Sequence, residues 1–93
     1  MAFSTKKKWT HQQWIEFGNR VKDVRAELQS MITDVQGVCK AKELDKLIRL
    51  VRQLDKWKSS MENELPRDIP SPILTRIFYG DKITEAEYKR AIS

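Results

Sequence analysis

The chain has 93 residues, 40% of them hydrophobic and 33% charged, with a formal net charge of +5 and a pI near 9.5. This length allows one domain and excludes a large enclosed core, since a domain so short buries only about 60–65% of the surface its unfolded chain exposes. The basic balance admits nucleic acid or an acidic protein as partner without choosing between them, and the single cysteine, Cys39, excludes an internal disulfide and fits a reducing, cytoplasmic setting.

Residues 1–9 read as a basic tail and residues 10–93 as one helical domain. Lys6, Lys7 and Lys8 repel one another and bury nothing, so the tail is expected to be disordered. It holds no apolar run of the kind a secretory leader needs, and Ala2 excludes N-myristoylation. No stretch of the chain approaches the roughly 20 apolar residues of a membrane helix, so no membrane partner is expected.

The first helix is predicted over 11–36. Thr10 with Gln13 forms a capping box, and Trp9 with Trp14 takes the positions of a hydrophobic staple. Trp14, Phe17, Val21, Val24, Leu28, Met31, Val35 and Val38 then alternate three and four residues apart. At 100° per residue they fall within an arc of about 120°, a coiled-coil-like seam. Ile32 widens the seam slightly and Ile15 lies off it. Gly37 suits the residue just past a helix end.

The phase of the apolar residues breaks between Val38 and Leu44, and Gly37 to Ala41 read as a turn. One uninterrupted helix with a stutter is the alternative. The second helix is predicted over 42–64. Its apolar residues Leu44, Leu47, Ile48, Leu50, Val51, Leu54, Trp57 and Met61 spread over about 180° of the wheel. One helical neighbour cannot cover half a helix, so a further element or a second subunit is expected against it.

Pro66 and Pro70 break the helix and give an extended crossing. Ser71 caps a short helix over 72–79, with Pro72 in its first turn and Gly80 at its end. A last helix over 85–92 starts from a second capping box, Thr84 with Glu87, and a second staple, Ile83 with Tyr88. The expected fold is all-α: a long antiparallel helical hairpin with a short two-helix C-terminal segment packed against it.

The inventory argues against catalysis. The only histidine, His11, opens the first helix and is expected to face solvent, while Cys39 lies in the turn at its other end. At 1.5 Å per residue they stand roughly 40 Å apart, too far for a thiol–imidazole pair. One His and one Cys make no tetrahedral zinc site, and no glycine-rich phosphate cradle is present. No catalytic residue, metal, cofactor or small-molecule substrate is therefore expected.

Two sets of residues remain as candidates for binding. Trp57, Phe78 and Tyr79 lie at the edges of apolar faces and suit a protein partner, since interfaces favour aromatic anchors. Lys42, Lys46, Arg49, Arg52 and Lys56 share an arc opposite the apolar face of the second helix and suit a nucleic-acid backbone. Lys6 to Lys8 with Trp9 suggest a weaker version of the same chemistry. The function expected is a non-enzymatic protein–protein interaction or regulatory module, self-association included. The alternative is a small nucleic-acid-binding or regulatory protein acting through the basic arc.

Overall fold

The structure, a computed structural model, describes residues 8–93. Lys6 and Lys7 of the expected basic tail lie outside the described residues. Four helices follow in chain order: α1 (His11–Val35), α2 (Ala41–Glu62), α3 (Ser71–Leu74) and α4 (Glu85–Ile92). α1 and α2 pack as an antiparallel hairpin, and the segment after α2 folds back on its open end. No helix of the described residues is long and apolar enough to cross a membrane.

Both capping boxes form. The Thr10 hydroxyl accepts from the Gln13 backbone N–H at 3.1 Å, and the Gln13 side chain accepts from the Thr10 N–H at 2.8 Å. The Trp9 ring meets Trp14 edge-on at 4.8 Å, so the staple holds the chain entering α1. Thr84 and Glu87 repeat the reciprocal pattern at the start of α4. At the far end of α1 the chain turns through Gly37, whose φ of 80° is open to glycine at little cost. The turn, not a stuttered continuous helix, joins α1 to α2.

α3 departs from the sequence reading. It stops at Leu74, and residues 75–80 run on as turns and bends rather than helix to 79. The irregular path drops Ile77 and Phe78 into the core. That core lies at the open end of the hairpin. It joins Ile15 and Val21 of α1 to Leu65, Ile69, Ile73, Ile77, Phe78 and Ile83 of the C-terminal segment, with Trp14, Phe17, Leu54 and Met61 against it.

Ile15, placed off the seam by its spacing, is therefore among the most buried side chains. It belongs to a second face of α1, made of Ile15, Gly18, Asn19 and Lys22, and this face receives the C-terminal segment. A Cβ on Gly18 would run into the backbone carbonyl of Ile77, so only glycine lets the two backbones approach this closely. The Asn19 amide clamps Ile83, donating to its carbonyl and accepting from its N–H, each at 3.0 Å. The Lys22 ammonium donates to the carbonyls of Arg76 at 2.6 Å and Asp81 at 2.7 Å.

Candidate interaction surface

Of the seam on α1, only part is used inside the chain. Val21 and Ile32 are buried, whereas Val24 is 53% and Met31 42% exposed. On α2, Leu50 and Trp57 are 52% and 39% exposed, although Val51 between them is buried. Val24 and Met31 are seven residues apart, as are Leu50 and Trp57, so each pair repeats on one side of its helix. In antiparallel helices these two sides fall on the same face of the hairpin. Phe17, Arg20, Val21, Val24, Leu54 and Trp57 line a groove of about 220 Å³ on this face.

Aromatic rings continue the strip past the groove. Phe17 meets Trp57 at 6.0 Å and Trp9 at 5.3 Å, both edge-on, which is the preferred geometry of aromatic pairs. The row on α1 that holds the C-terminal segment lies roughly opposite Val24 and Met31 on the helical wheel. The segment therefore leaves this apolar strip bare.

The three aromatic candidates fare differently. Trp57 stays exposed on the strip. Phe78 is 1% exposed and packs beneath Phe17 and Trp57 with centroids 6.2 and 6.3 Å away, so it is a core residue and no partner can reach it. The early end of α3 at Leu74 turns it inward, away from the helix edge at which its spacing placed it. Tyr79 is half-buried, with the Lys58 ammonium over its ring at 4.5 Å. Burial raises its hydroxyl above the usual phenol range.

Lys58 is the residue that the sequence reading missed. Its side chain is almost fully buried in the flank of α2, with Nζ 3.4 Å from Asp55 and over the Tyr79 ring. Asp55 also takes a two-pronged pair from Arg25 across the hairpin, at 2.8 and 3.2 Å. The Arg25 hydrogen bond holds the Asp55 carboxyl below the usual carboxylate range. A signal was present: Lys58 lies seven residues after Val51 and four after Leu54, inside the apolar arc. Burial, and then the nearby Arg76 charge, pushes the Lys22 ammonium down to about 8.

Lys42, Lys46, Arg49, Arg52 and Lys56 are all exposed along one flank of α2. Two are already engaged by acids of the same helix: Lys46 with Glu43 at 3.1 Å and Arg49 with Asp45 at 2.9 Å. Lys8 is exposed and separate from this row, beside Trp9 near the start of α1.

His11 does not face solvent as expected. Its Nδ1 lies 2.8 Å from the Tyr88 hydroxyl and its Nε2 3.2 Å from Asp68, so the C-terminal segment covers the start of α1 through this ring. The 25 residues of α1 separate it from Cys39 in the turn, about 37 Å along the helix axis. Among the described residues no three His, Cys, Asp or Glu side chains group as metal ligands. Comparison of the chain with profiles of known protein families, with curated proteins and with solved structures found no match.

Proposed function

We propose that the chain is a non-enzymatic helical interaction module that binds a polypeptide through the apolar strip of its hairpin. The observation that carries this reading is the exposure of Val24, Met31, Leu50 and Trp57 together on one face, beside a groove lined by Phe17, Leu54 and Trp57. A contiguous apolar patch rimmed by polar side chains marks an interaction site on a small domain. Trp57 is its natural anchor, as large aromatic rings dominate interface energetics.

Photo-cross-linking tests the reading. A benzophenone side chain replacing Trp57 or Met31 should cross-link to a polypeptide in native extract, while one replacing Lys89 on exposed α4 should not. Equal labelling from all three positions, or none from positions 57 and 31, rejects the strip as the binding site.

The exposure of all five basic side chains on α2 favours a second reading, nucleic-acid binding through that flank. Glu43 and Asp45 beside Lys46 and Arg49 weigh against it. Each phosphate contact adds about 0.9 to the slope of log K against log salt. Replacing Arg49 and Arg52 with Ala should lower that slope by up to about two without altering sequence preference. An unchanged slope removes this flank and leaves Lys6 to Lys8 as the source of any binding.

A further inference from the structure

The occupant of the strip follows from the charges along its two edges. Between residues 26 and 36, α1 carries Glu27 and Asp34 and no base. Between residues 41 and 56, α2 carries Lys42, Lys46, Arg49, Arg52 and Lys56 against Glu43, Asp45 and Asp55. The acids of α1 flank Val24 and Met31 on the outer side, and Lys46, Arg49 and Lys56 flank Leu50 and Trp57. Arg20 beside the groove apart, the α1 edge of the apolar strip is acidic and the α2 edge basic, so the strip is complementary to itself.

Resting on the reading above, the geometry points to a second copy of this chain as the partner: two hairpins join face to face about a two-fold axis parallel to the helices, closing a four-helix bundle. That axis sets α1 of one chain across from α2 of the other. The opposing arrangement, with the axis across the helices, sets α1 on α1 and α2 on α2, bringing acid to acid and base to base.

The register follows from the hairpin itself. An axis along the helices preserves height, and Arg25 with Asp55 fixes which residues of α1 and α2 are level. Glu27 then comes level with Gln53 of the second copy, with its Arg49 and Lys56 about one turn to either side, and Asp34 comes level with its Lys46. The present partners of Lys46 and Arg49 are exposed pairs within one helix, worth only a few tenths of a kcal/mol each, so they yield readily.

The area is adequate. Two helices side by side over about 35 Å present a face on the order of 700 Å² per chain, close to the roughly 800 Å² per partner of a standard interface. The C-terminal segment, on the other side of α1, leaves this approach open.

Sedimentation equilibrium of the full chain, together with spin labels on the single native thiol Cys39, tests the inference. A dimer is expected at micromolar concentration. The two labels should lie roughly 15–30 Å apart, because both turns fall at one end of the bundle and helices pack about 10 Å apart. The α1-on-α1 arrangement would separate them by roughly 40 Å or more.

Reversing the acidic edge with Glu27→Arg and Asp34→Lys should raise the dissociation constant at least about tenfold, as each pair occurs twice by symmetry. Adding Lys46→Glu and Arg49→Glu to that chain should restore it to within about threefold. All four side chains are exposed, and circular dichroism checks that each variant folds. A chain that stays monomeric at about 1 mM, labels about 40 Å apart, or failure of the quadruple variant to restore assembly each overturns the inference. A monomer that still cross-links to another polypeptide from position 57 overturns this dimer alone and leaves the interaction module standing.

Discussion

The two ends of the hairpin solve the same problem differently. At the open end, α1 and α2 are joined by a third layer, and Ile15, Val21, Leu65, Ile69, Ile73, Ile77, Phe78 and Ile83 close into one core. Towards the turn, residues 27–54 form two helices alone, and only Ile32 and Val51 there are buried. A bare two-helix hairpin leaves half of each apolar arc in water. The difference shows that a hydrophobic pattern specifies how much must be covered, while the path of the chain decides where covering ends. What the chain leaves open, from Val24 and Trp57 towards the turn, is an apolar strip with oppositely charged edges.

The contrast can be broken most strongly at the open end. Ile77→Ala removes a fully buried side chain and should cost about 2–5 kcal/mol. By thermal unfolding at low concentration the midpoint should fall by more than about 10 °C. A fall of only a few degrees would show that the C-terminal segment contributes little to the fold.

Gly18→Ala should have the next largest effect, and its sign is informative. In an open helix this change stabilises by up to about 1 kcal/mol. Here the new methyl group meets the Ile77 carbonyl, so a loss of about 1–3 kcal/mol is expected by urea unfolding. A gain in stability would mean that the segment does not approach α1 so closely.

At the boundary between the two halves, Asp55 should give a smaller, pH-dependent effect. Its carboxyl is depressed in the folded state, first by the Arg25 hydrogen bond. The stabilisation it brings is complete above the unfolded value of 3.8 and is lost as pH falls through the lower folded value. With both partners more than a third exposed, solvent screening limits it to below about 1 kcal/mol. Asp55→Asn should remove this part of the acid sensitivity, and an acid limb identical to the parent's would place the sensitivity elsewhere.

The smallest effect is expected on the strip itself. Leu50→Ser in dilute, monomeric protein should shift stability by no more than about 0.5 kcal/mol, as for other surface positions. A larger loss would mean that Leu50 already packs within the chain.

The ends of α1 and the start of α4 were legible because local signals agreed: capping boxes at Thr10 and Thr84, staples beside them, and Gly37 at positive φ just past α1. The hairpin followed from the break in phase between Val38 and Leu44. The second face of α1 was not legible, since Gly18, Asn19 and Lys22 carry no hydrophobic signal and act through a close approach and backbone carbonyls. Lys58 was hidden likewise, because a lysine inside an apolar arc reads as an interruption until Asp55 and Tyr79 are seen beside it. Phe78 was misplaced because the end of α3 at Leu74 depends on tertiary packing, not on a local stop signal. Trp57 was legible because it stands at the edge of its arc in either description.

Amide hydrogen exchange at two protein concentrations bears most directly on the difference between the ends. Exchange rates report local opening, segment by segment. The central amides of residues 27–54 should be strongly protected at high concentration and lose at least about tenfold of that protection on dilution below the dissociation constant. Those of residues 15–22 and 77–88 should change little. Protection near the turn that is independent of concentration, and equal to that at the open end, would contradict the claim that a second copy completes the hairpin.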